Sequence, residues 1–320
     1  MPETLSLFEE PQPELKAKLG SRLSALADQK LFLGTSSWKY EGWLNQIYTP
    51  ERYVVRGRFS QKRFEQECLT EYAETFPVVC GDFSFYQFPS RDFWHKLFSG
   101  VPKQLQFVFK VPEEITVYTF PKHPRYGGRA GSGNPNFLRA DLFQEAFLEP
   151  LLQYRDRVPV ILFEFTAFPR KVFDSPREFA ELMADFLPLL PGAFRYAIEV
   201  RNPEFLDEAY FAVLREHRVA HIFNAWTRMP TLSEQMQHPD AFTTDFTATR
   251  ALLRAGRPYE EAVRLFSPYE SVQEPNEEAR NALRRLLARA KERREATYIF
   301  VNNRLEGNAP GTIEAITEGF

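Results

Sequence analysis

The feature of this sequence that most constrains its fold is a regular alternation of short apolar runs with longer amphipathic segments. Eight runs have the near-continuous apolar character of strands covered on both faces, and the segments between them show helical spacing. Parallel strands joined by helices produce this alternation. The runs are Leu31–Trp38, Val78–Phe85, Gln106–Val111, Val158–Phe165, Arg195–Val200, Val219–Asn224, part of Ala241–Leu253, and Thr297–Asn303.

Eight strand–helix units predict a closed barrel. No Gly-x-Gly-x-x-Gly motif follows the first run, which argues against an open dinucleotide-binding sheet. We therefore predict an α/β fold, a TIM-type (β/α)8 barrel of eight parallel strands with outer helices. Residues 1–30 are expected to form an N-terminal arm and helix, and residues 31–320 a single barrel domain, because barrels of this length run as one domain.

One helix start is marked especially clearly. The segment Ser175–Glu178 has the spacing of a capping box with proline at the first helical position. The residues after it place one apolar stripe along a helix, formed by Phe179, Leu182, Met183, Phe186 and Leu190. This pattern predicts a helix that begins at Pro176.

Charge and cysteine content narrow the class of protein. The chain has 40 Lys and Arg against 43 Asp and Glu, so it lacks the basic excess of a dedicated nucleic-acid or membrane-surface binder. Its two cysteines, Cys68 and Cys80, have no zinc-site spacing and fit a reducing compartment. The start, MPETLSLFEEPQPELKAK, does not resemble a signal peptide, and no apolar run approaches membrane-span length. We expect a cytoplasmic protein without membrane association; its oligomeric state is not predicted.

Two connections are too long to be plain turns. They cover residues 39–59 and 112–140, and both follow the C-terminal ends of strands, the face where barrel enzymes keep their sites. The second contains four glycines together with several basic residues: Lys122, His123, Arg125 and Arg129. This composition fits either a mobile cationic lid over an anionic ligand or an ordinary flexible surface loop.

Six motifs, in order along the chain, resemble the YecE-like family, which is catalogued as domain of unknown function 72. They are GTSSWKYEGW with IYTP, FSFYQFPS, FVFKVP, ILFEF, AIEVRNPEF and IFVNNRLEGNAP, and they span roughly residues 31–318. The resemblance implies a TIM-type barrel, distantly similar in architecture to xylose isomerase and the endonuclease IV class, and supplies no established substrate. Cys80, Asp82 and Glu164 depart from the family's usual Glu, Asn and Gln, which implies a more acidic pocket floor.

Ionisable residues embedded in the apolar runs locate a candidate site. Burying a single charge among Val, Ile and Phe is costly unless it is paired, and the C-terminal strand ends of a barrel meet at one mouth. We therefore expect a shared polar cluster at that mouth. The candidate catalytic residues are Asp82, Lys110, Glu164 and Glu199, and the candidate substrate-binding residues are Trp38, Tyr86, Arg201, Arg250, Asn302 and Asn303.

The charged candidates have both functional and structural interpretations. Lys110 can bind a phosphate or carboxylate, or react as an amine of lowered pKa, or form an ion pair with Glu164 or Glu199. Glu199 and Arg201 flank Val200, so strand alternation points both side chains the same way. They can act as a proton acceptor and an anion clamp, or as a salt bridge that orders the strand end.

The remaining candidates also allow two interpretations each. Trp38 and Tyr86 can stack on a sugar ring or a base, or fill the core, while Asn302 and Asn303 offer amides that suit hydroxyl or phosphate oxygens. The carboxylates can bind a divalent cation such as magnesium or manganese, but no histidine completes a ligand set. A metal is therefore left open and not favoured, and cofactors stay unknown; His221, inside a strand, is interpreted as a core histidine.

Three function hypotheses follow. The leading one is an enzyme that acts by acid–base chemistry on an anionic, hydroxyl-bearing small molecule such as a sugar phosphate or a nucleotide. The second is a nucleic-acid-binding or phosphodiester-processing barrel, which requires a continuous basic groove through Lys122, Arg125, Arg129 and Arg250. The third is a noncatalytic ligand-binding protein, in which the charged cluster only holds the barrel together.

Overall fold

A closed ring of eight parallel strands forms the centre of the molecule, in a computed structural model that describes residues 14–169 and 171–320. Each strand pairs with the next along the chain, and the last pairs with the first, which confirms the predicted barrel. The predicted arm at residues 1–13 lies outside the described residues. The strands are β1 Leu31–Thr35, β2 Val78–Gly81, β3 Gln106–Lys110, β4 Val160–Phe165, β5 Tyr196–Val200, β6 Ala220–Ala225, β7 Phe246–Ala251 and β8 Ala296–Val301.

Helices surround this ring, as the alternation predicts. They include Glu14–Ala27 before β1 and the long Glu277–Arg293 before β8. The other helices are Gln61–Tyr72, Arg91–Ser99, Glu113–Thr116, Ala140–Phe143, Glu149–Leu151, Pro176–Phe186, Glu208–Glu216, Leu232–Gln237, Tyr259–Phe266 and Ala309–Thr317.

The helix at Pro176 begins where the sequence predicts, but its cap differs. Among the described atoms, the Ser175 side chain makes no cap hydrogen bond. The Glu178 carboxylate instead accepts from the backbone N–H of Asp174 at 3.1 Å, one residue further back than a capping box requires. The predicted capping box is therefore wrong, although proline at the first position and the apolar stripe suffice to place the helix.

Strand alternation separates inner from outer side chains. The outer set packs against the helices in one large core. The inner set forms a separate cluster that fills the barrel, so the interior is packed and is not a pore. Its buried members are Val78, Cys80, Val108, Val160, Leu162, Ala197, Ala220, Ile222, Phe246, Ala248, Tyr298 and Phe300.

The first long connection, residues 39–59, is an ordered segment with its own short elements of secondary structure. It contains the short 3-10 turns Glu41–Trp43 and Pro50–Tyr53 and a small hairpin between Val54–Val55 and Arg58–Phe59. Its aromatic residues Trp43, Tyr48 and Tyr53 are buried: Trp43 stacks on Tyr48, and Tyr53 lies edge-on to Tyr48 and to Phe64. This packing holds the connection in place, because each ring removes a large apolar surface from water.

Candidate functional site

A polar layer lies directly above the apolar filling of the barrel. Each of its members stands two residues after an inner apolar side chain, and alternate residues of a strand share a face. The layer is therefore the C-terminal end of the barrel interior. Its members at strand positions are Lys110 on β3, Glu164 on β4, Glu199 on β5, Asn224 on β6 and Arg250 on β7.

Six charged side chains connect into what we call the mouth network: Asp82, Lys110, Glu164, Glu199, Arg201 and Arg250. Glu164 lies at its centre. Oε2 of Glu164 is 3.0 Å from Nζ of Lys110 and 3.1 Å from Nη2 of Arg201, and it accepts a hydrogen bond from Nη1 of Arg250. A single carboxylate oxygen is thus shared by three cations.

The other two carboxylates complete the network. The two oxygens of Glu199 lie 2.6 Å from Nη2 of Arg201 and 2.5 Å from Nη1 of Arg250. Oδ1 of Asp82 is 3.6 Å from Nζ of Lys110 and 3.4 Å from Nη2 of Arg250. Three cations face three carboxylates, and this balance is what allows so many charges to be buried together.

The mouth network is graded from buried to exposed. Glu199 is fully buried, whereas the side chain of Asp82 is 36% exposed. Asp82 begins the 3-10 turn Asp82–Phe85, where the sequence had predicted a continued strand. The hydroxyl of Ser84 in that turn donates to the carbonyl of Lys110 at 2.7 Å, which ties the turn to β3. Asp82 is therefore the part of the network that meets solvent.

Neighbouring charges determine the protonation of the network. Burial alone would raise the pKa of Glu164, but Lys110, Arg201 and Arg250 together hold that pKa well below its usual range. Burial would likewise lower the pKa of Lys110, but Glu164 and Asp82 outweigh it and raise that pKa. Both groups are therefore charged at neutral pH. The environment of Lys110 fits an ion pair or an anion ligand, and does not provide an amine of lowered pKa.

Two aromatic rings cover cations of the network. Nζ of Lys110 lies 3.9 Å from the ring centroid of Phe85, and the guanidinium carbon of Arg201 lies 3.8 Å from that of Trp226. Phe85 is not among the candidate residues from the sequence. Trp226 directly follows β6, and this position at a strand end is the sequence feature that could identify it. For Phe85 no such feature exists beyond the motif FSFYQFPS that contains it.

Several polar atoms of this layer are buried without a hydrogen-bond partner among the described residues. They are Nε of Arg201, Nε of Arg250, Oδ1 of Asn224 and Oε1 of Glu199. Oε1 of Glu199 is nevertheless compensated by its ion pair with Nη2 of Arg201, at 2.6 Å. The other three atoms keep unused hydrogen-bonding capacity, since buried polar groups are normally satisfied.

The four remaining candidate residues lie outside the network. Trp38 is buried with its ring edge-on to Phe83, at 6.2 Å between centroids. Tyr86 is exposed, and the guanidinium of Arg125 lies 4.8 Å from its ring. Within the described part of the chain, no ion pair or hydrogen bond joins either residue to the network.

Asn302 and Asn303 hold a turn. Oδ1 of Asn302 accepts from the backbone N–H of Arg304 at 3.0 Å. Oδ1 of Asn303 accepts from Nε1 of Trp43 at 3.2 Å and from the N–H of Ala309 at 2.8 Å. Their acceptor groups are therefore engaged by the protein itself, although Nδ2 of Asn303 has no partner among the described residues.

The second long connection, residues 112–140, is anchored beside the mouth. Its residues Val117, Phe120 and Tyr126 form a small buried cluster with Phe85, the ring that covers Lys110. Arg125 and Arg129 are ion-paired with Glu113 at 2.7 Å and Glu114 at 2.8 Å. Each of these two arginines therefore has an acidic partner on the short helix Glu113–Thr116.

Two further properties concern metal sites and membrane-spanning helices. Across residues 14–169 and 171–320, no group of three or more His, Cys, Asp and Glu side chains is placed to hold a metal ion. No helix in the same part of the chain has the length and apolar character needed to cross a membrane.

His221 is buried in the outer core, with Nδ1 at 3.3 Å from the hydroxyl of Tyr210.

Fold and site together define a class: eight-stranded parallel α/β barrels with an ionic layer at the C-terminal mouth. The chain belongs to the family described as "Protein of unknown function DUF72", whose model matches residues 32–319. This confirms the resemblance to the YecE-like family, which is the same family.

Solved structures of this family share the fold. A DUF72 family protein from Thermotoga maritima MSB8 is 21% identical, with a TM-score of 0.59 over 89% of this chain and 97% of its own. One from Enterococcus faecalis V583 is 16% identical, with a TM-score of 0.58 over 90% of this chain and 94% of its own. No curated protein matches the chain.

Proposed function

We propose that the barrel mouth binds an anionic, hydroxyl-bearing small molecule, a sugar phosphate or a nucleotide, and that the chain is an enzyme acting on it by acid–base chemistry. The mouth network carries this proposal. It brings three cations to the C-terminal end of a barrel, the position where barrel enzymes bind their substrates. Guanidinium groups are well suited to phosphate, because their donors match two oxygens at once.

A bound phosphate would replace the Glu164 carboxylate as a partner of the network's cations. Within the network, Oε2 of Glu164 contacts Lys110, Arg201 and Arg250. A phosphate entering beside Asp82 would compete for Lys110 and Arg201, which are nearest the aromatic rings at the mouth. Glu164 would then lose part of the positive field that lowers its pKa, and so become a stronger base while ligand is bound.

This exchange assigns roles to the remaining residues. Lys110 and Arg201 bind the anion, and Glu164 moves protons. Glu199 and Arg250, the most buried pair, position Arg201 and Glu164 from below. Asp82, which is the exposed carboxylate, is placed to accept a hydrogen bond from a ligand hydroxyl.

A noncatalytic ligand-binding protein is the second candidate. The observation in its favour is that each of the six charges already has a partner of opposite sign within the network. Such a network can serve only to close the top of the barrel, with ligand binding as an addition. Binding without conversion of the ligand would support this candidate.

Calorimetric titration with ribose 5-phosphate and the four ribonucleoside monophosphates tests the proposal. Lys110→Gln should weaken binding at least tenfold, since it removes a charge-assisted contact of about 1.5–3 kcal/mol. Lys122→Gln is the matched control, because Lys122 is exposed on the neighbouring loop and outside the network. Phosphorus NMR of the same mixtures would report turnover. Equal binding by the wild type and Lys110→Gln would rule out this site.

A further inference from the structure

A second concave feature adjoins the mouth network. It is a cleft of about 510 Å³ between helices Gln61–Tyr72 and Arg91–Ser99, beside the ends of β1 and β2. Cavities of this size accommodate small-molecule ligands. The residues that matter here are Ser36, Trp38, Asp82, Phe83, Phe93 and Leu97.

Asp82 joins the cleft to the network. It lines the cleft, and the same carboxylate lies 3.6 Å from Lys110 and 3.4 Å from Arg250. Its partly exposed side chain faces both regions. A ligand bound in the cleft can therefore extend past Asp82 to the cations of the mouth.

The walls of the cleft suit a flat ring. Phe83 lies between Trp38 and Phe93, with centroid distances of 6.2 Å and 5.1 Å. Phe93 is 38% exposed although it is a large hydrophobic side chain. Aromatic side chains that remain accessible in a cleft bind planar rings by stacking.

The cleft also contains a polar group without a partner. Oγ of Ser36 is buried and has no hydrogen-bond partner among the described residues. The backbone around it is fixed, since the N–H of Ser36 donates to the carbonyl of Val301 at 3.1 Å. A ring that carries donors and acceptors on its edge would satisfy this hydroxyl, whereas a purely apolar ring would not.

We infer that the ligand of the mouth network is a nucleotide, with its base in the cleft, its ribose hydroxyls at Asp82 and its phosphate at Lys110 and Arg201. This inference rests on the proposed function and chooses between the two ligand classes it names. A sugar phosphate lacks a planar base that could lie against Phe83 and Phe93 and also pair with Ser36 through its edge. A nucleotide fills both regions, and Asp82 marks the boundary between them.

Two substitutions in the full-length chain test the cleft separately from the network. Phe93→Ala removes one aromatic wall, and Leu97→Trp fills the cleft. Leu152→Trp is the matched control, because Leu152 is exposed and lies outside the cleft. Circular dichroism melting of each variant verifies that it folds.

The titration compares ribose 5-phosphate, adenosine and the four ribonucleoside monophosphates. At least one nucleotide should bind more tightly than ribose 5-phosphate. Phe93→Ala should weaken that nucleotide by about tenfold, the usual effect of losing one stacking partner. Leu97→Trp should abolish the advantage of the nucleotide, and neither variant should change the binding of ribose 5-phosphate.

The outcomes separate this inference from the proposed function. If ribose 5-phosphate binds as tightly as every nucleotide and loses affinity only in Lys110→Gln, the nucleotide assignment is overturned and the proposed function stands. If adenosine alone accounts for the affinity and Lys110→Gln changes nothing, the placement of the phosphate is overturned together with the proposed function. If no ligand binds, both are overturned.

Discussion

Glu164 and Glu199 differ in how many cations each of their carboxylate oxygens contacts. One oxygen of Glu164 contacts three cations, whereas each oxygen of Glu199 contacts one arginine. Glu199 is fully buried, so neutralising it leaves Arg201 and Arg250 with excess positive charge in a region that water does not reach. At the residue scale, the network is held together by these mutual dependencies more than by any single contact.

Glu199→Gln should therefore be strongly destabilising despite its nearly unchanged shape. Removing one partner of a buried ion pair costs about 3–5 kcal/mol. The free energy of unfolding in urea measures this loss. Glu216→Gln, at an exposed helix end, is the control and should change stability by less than about 0.5 kcal/mol. A similar small effect in both variants would contradict the account of the network.

His221 should make stability depend on pH. Burial lowers the pKa of His221 to about 3, below the ordinary value of about 6.5 that it has in the unfolded chain. The unfolded state therefore binds the extra proton first, and the stability from this residue, complete above about pH 6.5, is lost as the pH falls. The loss reaches about 2 kcal/mol at pH 5.

His221→Gln should remove that dependence between pH 8 and pH 5, whereas His95→Gln, at an exposed helix position, should retain it. Urea unfolding at several pH values measures both slopes. A wild-type slope that survives in His221→Gln would mean that another group carries it.

Much of the site could be predicted from single residues, and some could not. Lys110, Glu164, Glu199 and Arg250 stand in apolar runs, where only pairing tolerates a charge, so their convergence follows from the sequence. Asn302 and Asn303 have similar surroundings in the sequence. Their side-chain oxygens instead accept from backbone N–H groups of the segment that follows β8, which depends on backbone geometry that no spacing reveals.

The N-terminal helix Glu14–Ala27 shows how an element is attached to the barrel. Leu19, Leu23 and Leu26 of this helix belong to the large core. Nζ of Lys16, which is 2% exposed, lies 2.7 Å from Glu71 and 2.6 Å from Glu74 on and beside the next helix. The division at residue 30 stays a prediction, but the helix packs as part of the same core as the barrel.

Two lysines of this helix make a matched pair for testing its attachment. Lys16→Met leaves the buried carboxylate of Glu71 without its closest cation, and should cost about 3–5 kcal/mol. Lys18, which is 50% exposed and 2.6 Å from Glu314, forms a surface pair; Lys18→Met should cost less than about 1 kcal/mol. The free energy of unfolding in urea measures the loss in each variant. Equal losses would contradict the argument that the buried pair contributes more than the exposed one.

The strands and helices were predictable wherever the spacing of apolar residues was regular. All eight runs contain a strand of the ring, including the polar seventh, of which only Phe246–Ala251 pairs. The ends were less predictable: β2 stops at Gly81 and leads into the 3-10 turn Asp82–Phe85, which the hydroxyl of Ser84 ties to the carbonyl of Lys110. That contact with a neighbouring strand is tertiary, and the alternation of residue types does not encode it.

At the scale of the whole molecule, the two cysteines can be used to follow the unfolding of two different parts of the structure. Cys80 is inside the barrel and Cys68 is on helix Gln61–Tyr72, facing the outer core. Burial raises the pKa of each thiol to about 12, so both are protonated and shielded at neutral pH.

Neither thiol should react with an aromatic disulfide reagent at pH 8 until the chain unfolds. In the single variants Cys68→Ala and Cys80→Ala, the remaining thiol should become reactive at the urea concentration where circular dichroism is lost. Earlier reaction of Cys68 would show that its helix opens before the ring, and reaction of both in native buffer would contradict their burial.

The mouth network draws its members from β3, β4, β5, β7 and the segments that follow β2 and β5. An incomplete ring that lacked β7 would leave Glu164 and Glu199 without Arg250, one of the two arginines that both contact. Assembly of this barrel should therefore be all-or-none across its middle. A fragment cut between β5 and β7 would hold three carboxylates of the network against two cations, and should regain native structure only when mixed with its missing half.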